Sequence, residues 1–361
     1  IVDEVSMLDP EFLDRVDLIL QTYHRNKKPF GGKQVIFLGD FYQLPPVIKD
    51  ADREKVYPFQ ADCWNRLFPK GSLLQLRTIH RQKETGNAEI LNRARIGKIT
   101  DEDLRTVNAR VNGNAPDDVP RLFSRRAQVE RLNDLRLRGI QEDDKVFQVR
   151  TKVKIKLGAP RWARDKLRKE EEALVRNIPV HGRAVALKEG ALVMCTSSFA
   201  PGIVNGTVGT VVGFEHDCGD YELMGDRHSF TPGVEYPLIE CDAPGGGKRA
   251  YLVPDCTWKK EVHESGVVSA TGLPLILAWA ITIHKAQGAT LERAAVDLRG
   301  VFALGQAYVA LSRITRLEGL YLESKITKDM FPENEAVHEF YNPPQPPPVK
   351  CGAKRPFPKY A

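Results

Sequence analysis

The stretch from Ile1 to Asp40 constrains this chain more than any other. It holds two short apolar runs, "IVDE" and "KQVIFLGD", each ending on acids, with an amphipathic segment between them. Strand, helix and strand in that order belong to an α/β fold, because parallel neighbours need a crossover and the helix supplies it. Asp9-Pro10 reads as an N-cap followed by proline in the first helical position. From there Phe12, Val16, Ile19 or Leu20, and Tyr23 recur at helical spacing. This predicts a helix that stops near Arg25-Asn26 and buries those residues. The unbroken apolar run before Gly39-Asp40 predicts a strand covered on both faces. Asp3-Glu4 and Gly39-Asp40 would then share the carboxyl edge of the sheet, where α/β proteins place ligands.

Paired acids at that edge suit nucleotide hydrolysis, which needs oxygen ligands for a hard cation and a group that activates water. In that role Asp3 holds Mg²⁺ through water and Glu4 is the base. The same four residues also make an ordinary strand end with a solvated turn, and alone they do not decide between the two. "LGDFYQLPPV" at Leu38–Val47 is a rarer word. Its Gln43 is placed to meet a terminal phosphate or orient water, and Pro45-Pro46 stiffens the exit.

Further words follow in order: "LLQLRTIHRQ" ending at Arg81-Gln82, "LAWAITIHKAQGATL" at Leu277–Leu291, and "FALGQAYVALSRITRLEGLYL" at Phe302–Leu322. Together with the first two they resemble motifs II to VI of superfamily-one DNA helicases, and most closely the petite-integration-frequency (Pif) family, with the RecD helicases behind it. The resemblance runs from Ile1 to about Leu322. It implies two RecA-like parallel-sheet domains and ATP-dependent unwinding of DNA in the 5′-to-3′ direction. Glu4, Gln43, Arg81 and Arg313 become the catalytic candidates. Asp3, Glu4, Gln43, Arg81, Gln287, Gly288 and Arg313 are the candidates for holding Mg²⁺ and ATP. Arg81 and Arg313 match arginines that reach the γ-phosphate across the cleft, and a guanidinium suits that task because it is always charged and presents a fork. A surface arginine on a helix is the plainer alternative for Arg313, and a salt bridge for Arg81. Pro45, His284, Lys285, Gln287 and Thr290 match positions that contact DNA. Ala286 stands where the family usually has serine, which removes one hydroxyl from that motif.

The resemblance also orders the rest. Residues 1–82 are expected to be the remainder of a first RecA-like domain, truncated at its N-terminus, and 83–205 the connecting helices and first part of a second. A small β-barrel insert is expected at 206–272, with Val208, Val211, Val212, Phe214, Tyr221 and Leu223 among glycines and acids. Residues 273–332 complete the second domain, Leu277 to Ile283 reading as a buried strand. Residues 333–361 form a proline-rich, basic tail, including Lys350, Lys354, Arg355 and Lys359. Arg161 to Asn177 reads as a solvated helix with Glu170–Glu172 among its cations. Trp64 and Trp162 read as core or interface residues.

No G-x-x-x-x-G-K-[ST] occurs in the 361 residues. The phosphate loop, with its strand and helix, is therefore expected in at least roughly 30 residues upstream of Ile1. On that expectation the chain is a fragment with an exposed sheet edge and helix face, and its grip on Mg²⁺-ATP is weak. A non-catalytic DNA-binding or regulatory remnant is the alternative. An enzyme of another class using the carboxylates differently would leave Arg81 and Arg313 idle.

Composition agrees without deciding. Fifty-three Lys and Arg against 47 Asp and Glu give a net charge of +6, which favours acidic partners. Single-stranded DNA and duplex junctions are the expected ones, with a monomer as the simplest state. The six cysteines form no C-x-x-C pair, which points to free thiols in a reducing, intracellular compartment. For a eukaryote that means nucleus or mitochondrion. His216, Cys218, His228, Cys241 and Cys256 match no zinc spacing. No apolar run is long enough for a membrane span. Telomere maintenance, repair and recombination are roles the resemblance implies.

Overall fold

The structure is a computed structural model. It describes residues 1–48, 54–69, 71–76, 78–111, 115–117, 119–178, 183–216, 223–225, 227–242 and 246–342. Tyr221, Cys218 and the basic residues of the expected tail lie outside them.

Helix α1 (Pro10–Tyr23) begins as expected, with Asp9 accepting the Phe12 N–H at 3.0 Å and Pro10 leading. Its buried side differs from the expected one. Leu13 and Asp17 face the core, while Phe12, Leu18, Ile19 and Tyr23 are exposed. Asp17 is 1% exposed and takes the Phe30 N–H at 2.8 Å, the Gln21 amide at 2.6 Å and the Arg66 guanidinium. Three donors offset the cost of burying that carboxylate, so a charged residue occupies a core position that hydrophobic periodicity assigns to an apolar one. The run ending at Gly39-Asp40 also departs from expectation. It makes one parallel bridge, Val2 to Phe37, and Ile36 and Leu38 on either side are exposed.

Around these segments an aromatic core gathers Phe30, Phe41, Tyr57 and, from helix α2 (Trp64–Leu67), the buried Trp64. Helices α3 (Thr85–Arg95) and α4 (Asp101–Asn108) follow, and their apolar sides join the larger core of the second lobe. Strand β1 (Arg121–Phe123) leads into helix α5 (Arg126–Arg138).

The antiparallel part begins at β2 (Lys145–Gln148) and β3 (Arg150–Ile155), continues through helix α6 (Ala163–Asn177), and includes β4 (Ala184–Leu187) and β5 (Leu192–Cys195). Then come β6 (Val208–His216), β7 (His228–Ser229), β8 (Glu235–Asp242), β9 (Lys248–Leu252), β10 (Asp255–Val262), β11 (Gly266–Gly272) and β12 (Leu275–Leu277). They form a five-stranded sheet, β12-β5-β6-β8-β9, a four-stranded sheet, β3-β11-β10-β7, and the β2-β4 pair. Antiparallel strands thus run from Lys145 to Leu277, starting well before residue 206. Pairing among the described residues leaves both larger sheets open at their edges. Helix α6 is amphipathic, burying Ala163, Leu167 and Val175.

The run Leu277 to Ile283 is buried, as expected, but as the hand-over between sheets. Chain leaving β12 enters β13 (Ala280–Thr282), the edge of a parallel sheet ordered β13-β1-β14-β15. Helix α7 (Ile283–Ala286) precedes β14 (Ala294–Asp297), helix α8 (Gln306–Ser312) precedes β15 (Leu320–Leu322), and helix α9 (Glu335–Tyr341) comes last. Helix α9 returns to the first lobe: Phe340 stacks on Phe59 at 4.4 Å and Tyr341 on Tyr42 at 5.5 Å.

Candidate nucleotide site between the two lobes

The acidic pair sits where the backbone turns sharply. Glu4 adopts a left-handed conformation (φ 51°, ψ 45°) ahead of a single 3₁₀ turn, and its N–H is held by Asp3 Oδ1 at 2.8 Å. Such a conformation is strained for a residue with a side chain. It aims Glu4 at the second lobe. There Gln287 Nε2 donates to Glu4 Oε2 at 2.8 Å, joining residues 283 positions apart. Gly288, in the left-handed region at φ 81°, keeps the approach open: a Cβ there would lie 3.4 Å from Glu4 Oε1. Asp3 is exposed, and its second oxygen has no partner among the described residues.

The arginines converge from the same side. Arg81 donates through Nε to Thr290 Oγ1 at 3.0 Å and through Nη2 to the Gly288 carbonyl at 3.4 Å. Its neighbour Gln82 reaches the Ser312 carbonyl at 3.1 Å. Arg313 is 2% exposed, yet among the described residues its guanidinium bonds only the Val309 carbonyl at 3.0 Å and Ser312 Oγ at 2.8 Å. No carboxylate lies within ion-pair distance of it among the described residues. Burial, and then repulsion from Arg81, push its pKa down to about 10, against the weaker pull of Tyr308, Glu4 and Asp40. Burial likewise lifts the Tyr308 phenol to about 12, with Asp40 adding to the rise.

Gln43 belongs to a turn anchored by Asp40, whose carbonyl takes the Gln43 N–H at 2.9 Å. The turn abuts Gly305, the residue before α8. A Cβ on Gly305 would sit 2.4 Å from the Tyr42 carbonyl oxygen and 2.9 Å from that of Gln43. Buried Oε1 atoms of Gln43 and Gln287 have no donor among the described residues. Acceptors without a donor suit a cation or a water, and a guanidinium without an ion-pair partner suits phosphate oxygens, so the residues of the seam would fit a cation–phosphate ligand.

The residues expected at DNA divide between two places. Gln287 and Thr290 turn to Glu4 and Arg81, as above. His284 stacks on Phe302 at 5.8 Å, and burial lowers its pKa. Surrounding protein first, and the Arg126 charge second, lower that of Lys285. Pro45 is half-buried beside buried Leu44 and Pro46. Sequence reasoning missed Arg95, Tyr308, Ser312 and Gly305. The glycine alone had a signal, lying just before a helix where only a residue free of Cβ fits.

A lobe built on a parallel sheet, meeting a smaller lobe along a seam lined by carboxylates and arginines, is the arrangement of a RecA-like protein. Residues 1–105 match the PIF1-like helicase family. The ATP-dependent DNA helicase PIF1 of Emericella nidulans is 34% identical over 357 residues, which cover 89% of this chain and 46% of that protein. The crystal structure of Pif1 helicase from Candida albicans superposes with a TM-score of 0.72 at 30% identity, covering 94% of this chain and 75% of that one. Pif1 helicase from Bacteroides in complex with ADP-AlF3 and ssDNA superposes at 0.63 with 29% identity, covering 94% and 73%. The chain belongs to the Pif1-like helicase family. It spans about half the length of the curated relatives it matches.

Proposed function

We propose that these residues form part of an ATP-dependent DNA helicase that moves 5′ to 3′ on single-stranded DNA and acts at duplex junctions. The observation that carries this reading is the Gln287–Glu4 hydrogen bond across the seam, beside a buried Arg313 with no carboxylate at ion-pair distance among the described residues. Bound Mg²⁺-ATP supplies the phosphoryl group and the cation charge. Asp3 would hold the ion through water, Glu4 would take the proton of the attacking water, and Gln43 would orient that water. Arg81 and Arg313 would face the charge that develops on the γ-phosphoryl oxygens and the departing ADP oxygen as the phosphoryl group passes to water. Because Gln287 and Thr290 touch the acid and an arginine of the site while His284 and Lys285 lie a turn earlier in the same motif, nucleotide state and DNA contact are joined through one short segment. A monomer suffices for this cycle. A nuclear or mitochondrial location in a eukaryote, and the division into two RecA-like domains with an inserted antiparallel module, belong to the same proposal.

Absence of G-x-x-x-x-G-K-[ST] from the 361 residues favours a second reading for the chain taken alone, DNA binding without turnover. The test is a graft of the phosphate loop, strand and helix of Candida albicans Pif1 ahead of Ile1, checked for cooperative melting. Hydrolysis stimulated by single-stranded DNA, and cut at least about 100-fold by E4Q, supports the helicase reading. A folded graft that binds DNA and nucleotide yet never turns over sinks it and leaves the second.

A further inference from the structure

The sheet β3-β11-β10-β7 has two unlike faces. On one lies α6, whose Leu167 and Leu174 pack against Val262 and Val268. The cation on that face, Lys260, is neutralised by Glu170. The other face is open. Registered pairing places Lys152 opposite Ser269 and Ser269 opposite Lys259, so the three share this face, and Lys154 joins them two residues along β3. Strand geometry sets Lys152 about 7 Å from Lys154 along the strand and about 10 Å from Lys259 across it. None of the three lysines pairs with a carboxylate among the described residues, and Glu261 is the exposed acid nearby.

We infer that this open face binds the phosphate backbone of duplex DNA, a contact that rests on the helicase reading and adds a second nucleic-acid surface to it. Three considerations select that occupant. Sheets that bind single strands set aromatic rings among their cations for bases to stack on, and here the aromatic of β10, Trp258, is turned to the helix side opposite Ala270 and Thr151. Protein partners of comparable area need an apolar anchor in the contact, and beyond Val267 this face offers lysines, hydroxyls and one acid, Glu261. Backbone binding needs neither ring nor anchor, only cations at phosphate-like spacing with hydrogen-bond donors between them. Lysines on an edge strand also discourage pairing with other sheets, a role that entails no salt-dependent binding of duplex, so measurement separates the two.

The experiment compares the wild-type chain, K152Q/K154Q/K259Q, and the control K27Q/K28Q/K33Q, which removes equal charge from exposed positions of the first lobe. Anisotropy of a labelled blunt duplex and a labelled single strand of equal length is read between about 50 and 200 mM salt. The sheet variant is expected to bind duplex at least about tenfold more weakly, with the slope of log K on log salt smaller by about 3. Its single-strand affinity and thermal midpoint stay at the wild-type values, and the control keeps its duplex binding. An unchanged duplex slope, or an equal loss in the control, overturns the inference while leaving single-strand binding and the helicase reading intact. Wild-type chain that binds neither DNA overturns both. If poly-glutamate displaces duplex as well as heparin does and loses the same affinity in the variant, the face is a site for acidic protein and the duplex assignment fails.

Discussion

Arg95 grips Asp40 through two hydrogen bonds, Nε to Oδ2 and Nη2 to Oδ1, each 2.7 Å long. The same guanidinium lies 4.5 Å from the centre of the Tyr42 ring and 5.7 Å from that of Tyr341. Asp40 also accepts the Tyr42 N–H at 3.1 Å, and its carbonyl holds Gln43. An arginine on α3 and helix α9 thus jointly fix the turn that presents Gln43 to the seam.

Arg95→Ala is expected to cost about 2 kcal/mol, below the range for a fully buried pair because both partners retain some exposure. Arg95→Lys should recover less than half of it, since an ammonium cannot reproduce the fork or stack on the rings. Urea midpoints at neutral pH measure both. Full recovery by lysine would mean that charge alone, and not the planar grip, sets the turn.

Arg313→Met makes the opposite kind of change. It keeps most of the volume of a side chain that is 2% exposed and removes a charge that has no carboxylate at ion-pair distance among the described residues, only the weaker pull of Glu4 and Asp40. Stability should therefore be unchanged or higher by about 1 kcal/mol, while DNA-stimulated hydrolysis in the grafted protein should fall at least about 100-fold. A loss of several kcal/mol would show that Arg313 holds the fold together through Val309 and Ser312 instead of waiting for an anion.

How far the sequence led depended on whether the signal was local. Asp9-Pro10 announced its helix because capping leaves a short word, and the acids and arginines singled out in the sequence come to lie along one seam. The buried side of α1 could not be read from its own periodicity: Asp17 is inside because Phe30, Gln21 and Arg66 supply donors, and Phe30 and Arg66 lie outside the helix. Motif position assigns Thr290 to DNA and Gln287 to both DNA and nucleotide, whereas their bonds to Glu4 and Arg81 depend on how two lobes meet. Arg95 gave no warning, since nothing in "LNRARIGK" distinguishes the arginine that finds Asp40 from the one that finds Asp103.

Gly305→Ala tests how tightly the Gln43 turn and α8 abut. A methyl group there meets the Tyr42 carbonyl at 2.4 Å, a contact with backbone that cannot swing aside, and the residue sits at φ 74°. Left-handed strain alone costs about 1 kcal/mol. With the clash added, a loss of at least about 2 kcal/mol in denaturant midpoint is expected, together with weaker DNA stimulation of hydrolysis in the graft as Gln43 is displaced. Wild-type stability in this variant would show that the two segments are not in contact in solution.

Asp103 gives the chain an acid-sensitive tie. Two hydrogen bonds from Arg93, at 2.8 and 2.7 Å, draw its pKa down from 3.8 to about 2, and the N–H of Thr100 at 3.0 Å assists. A carboxyl whose pKa is lower in the folded state stabilises the fold above its unfolded pKa, and that contribution drains away as pH falls through the folded one. From the shift, Asp103→Asn should lose about 2 kcal/mol at pH 7 and only about 1 kcal/mol at pH 3, the two proteins converging near pH 2. Urea midpoints at pH 7, 5, 4 and 3 trace the gap. A gap that holds constant down to pH 3 would mean that the Arg93 bonds contribute through shape and not through the carboxylate's charge, and the ion pair would then be incidental to the packing of α3 on α4.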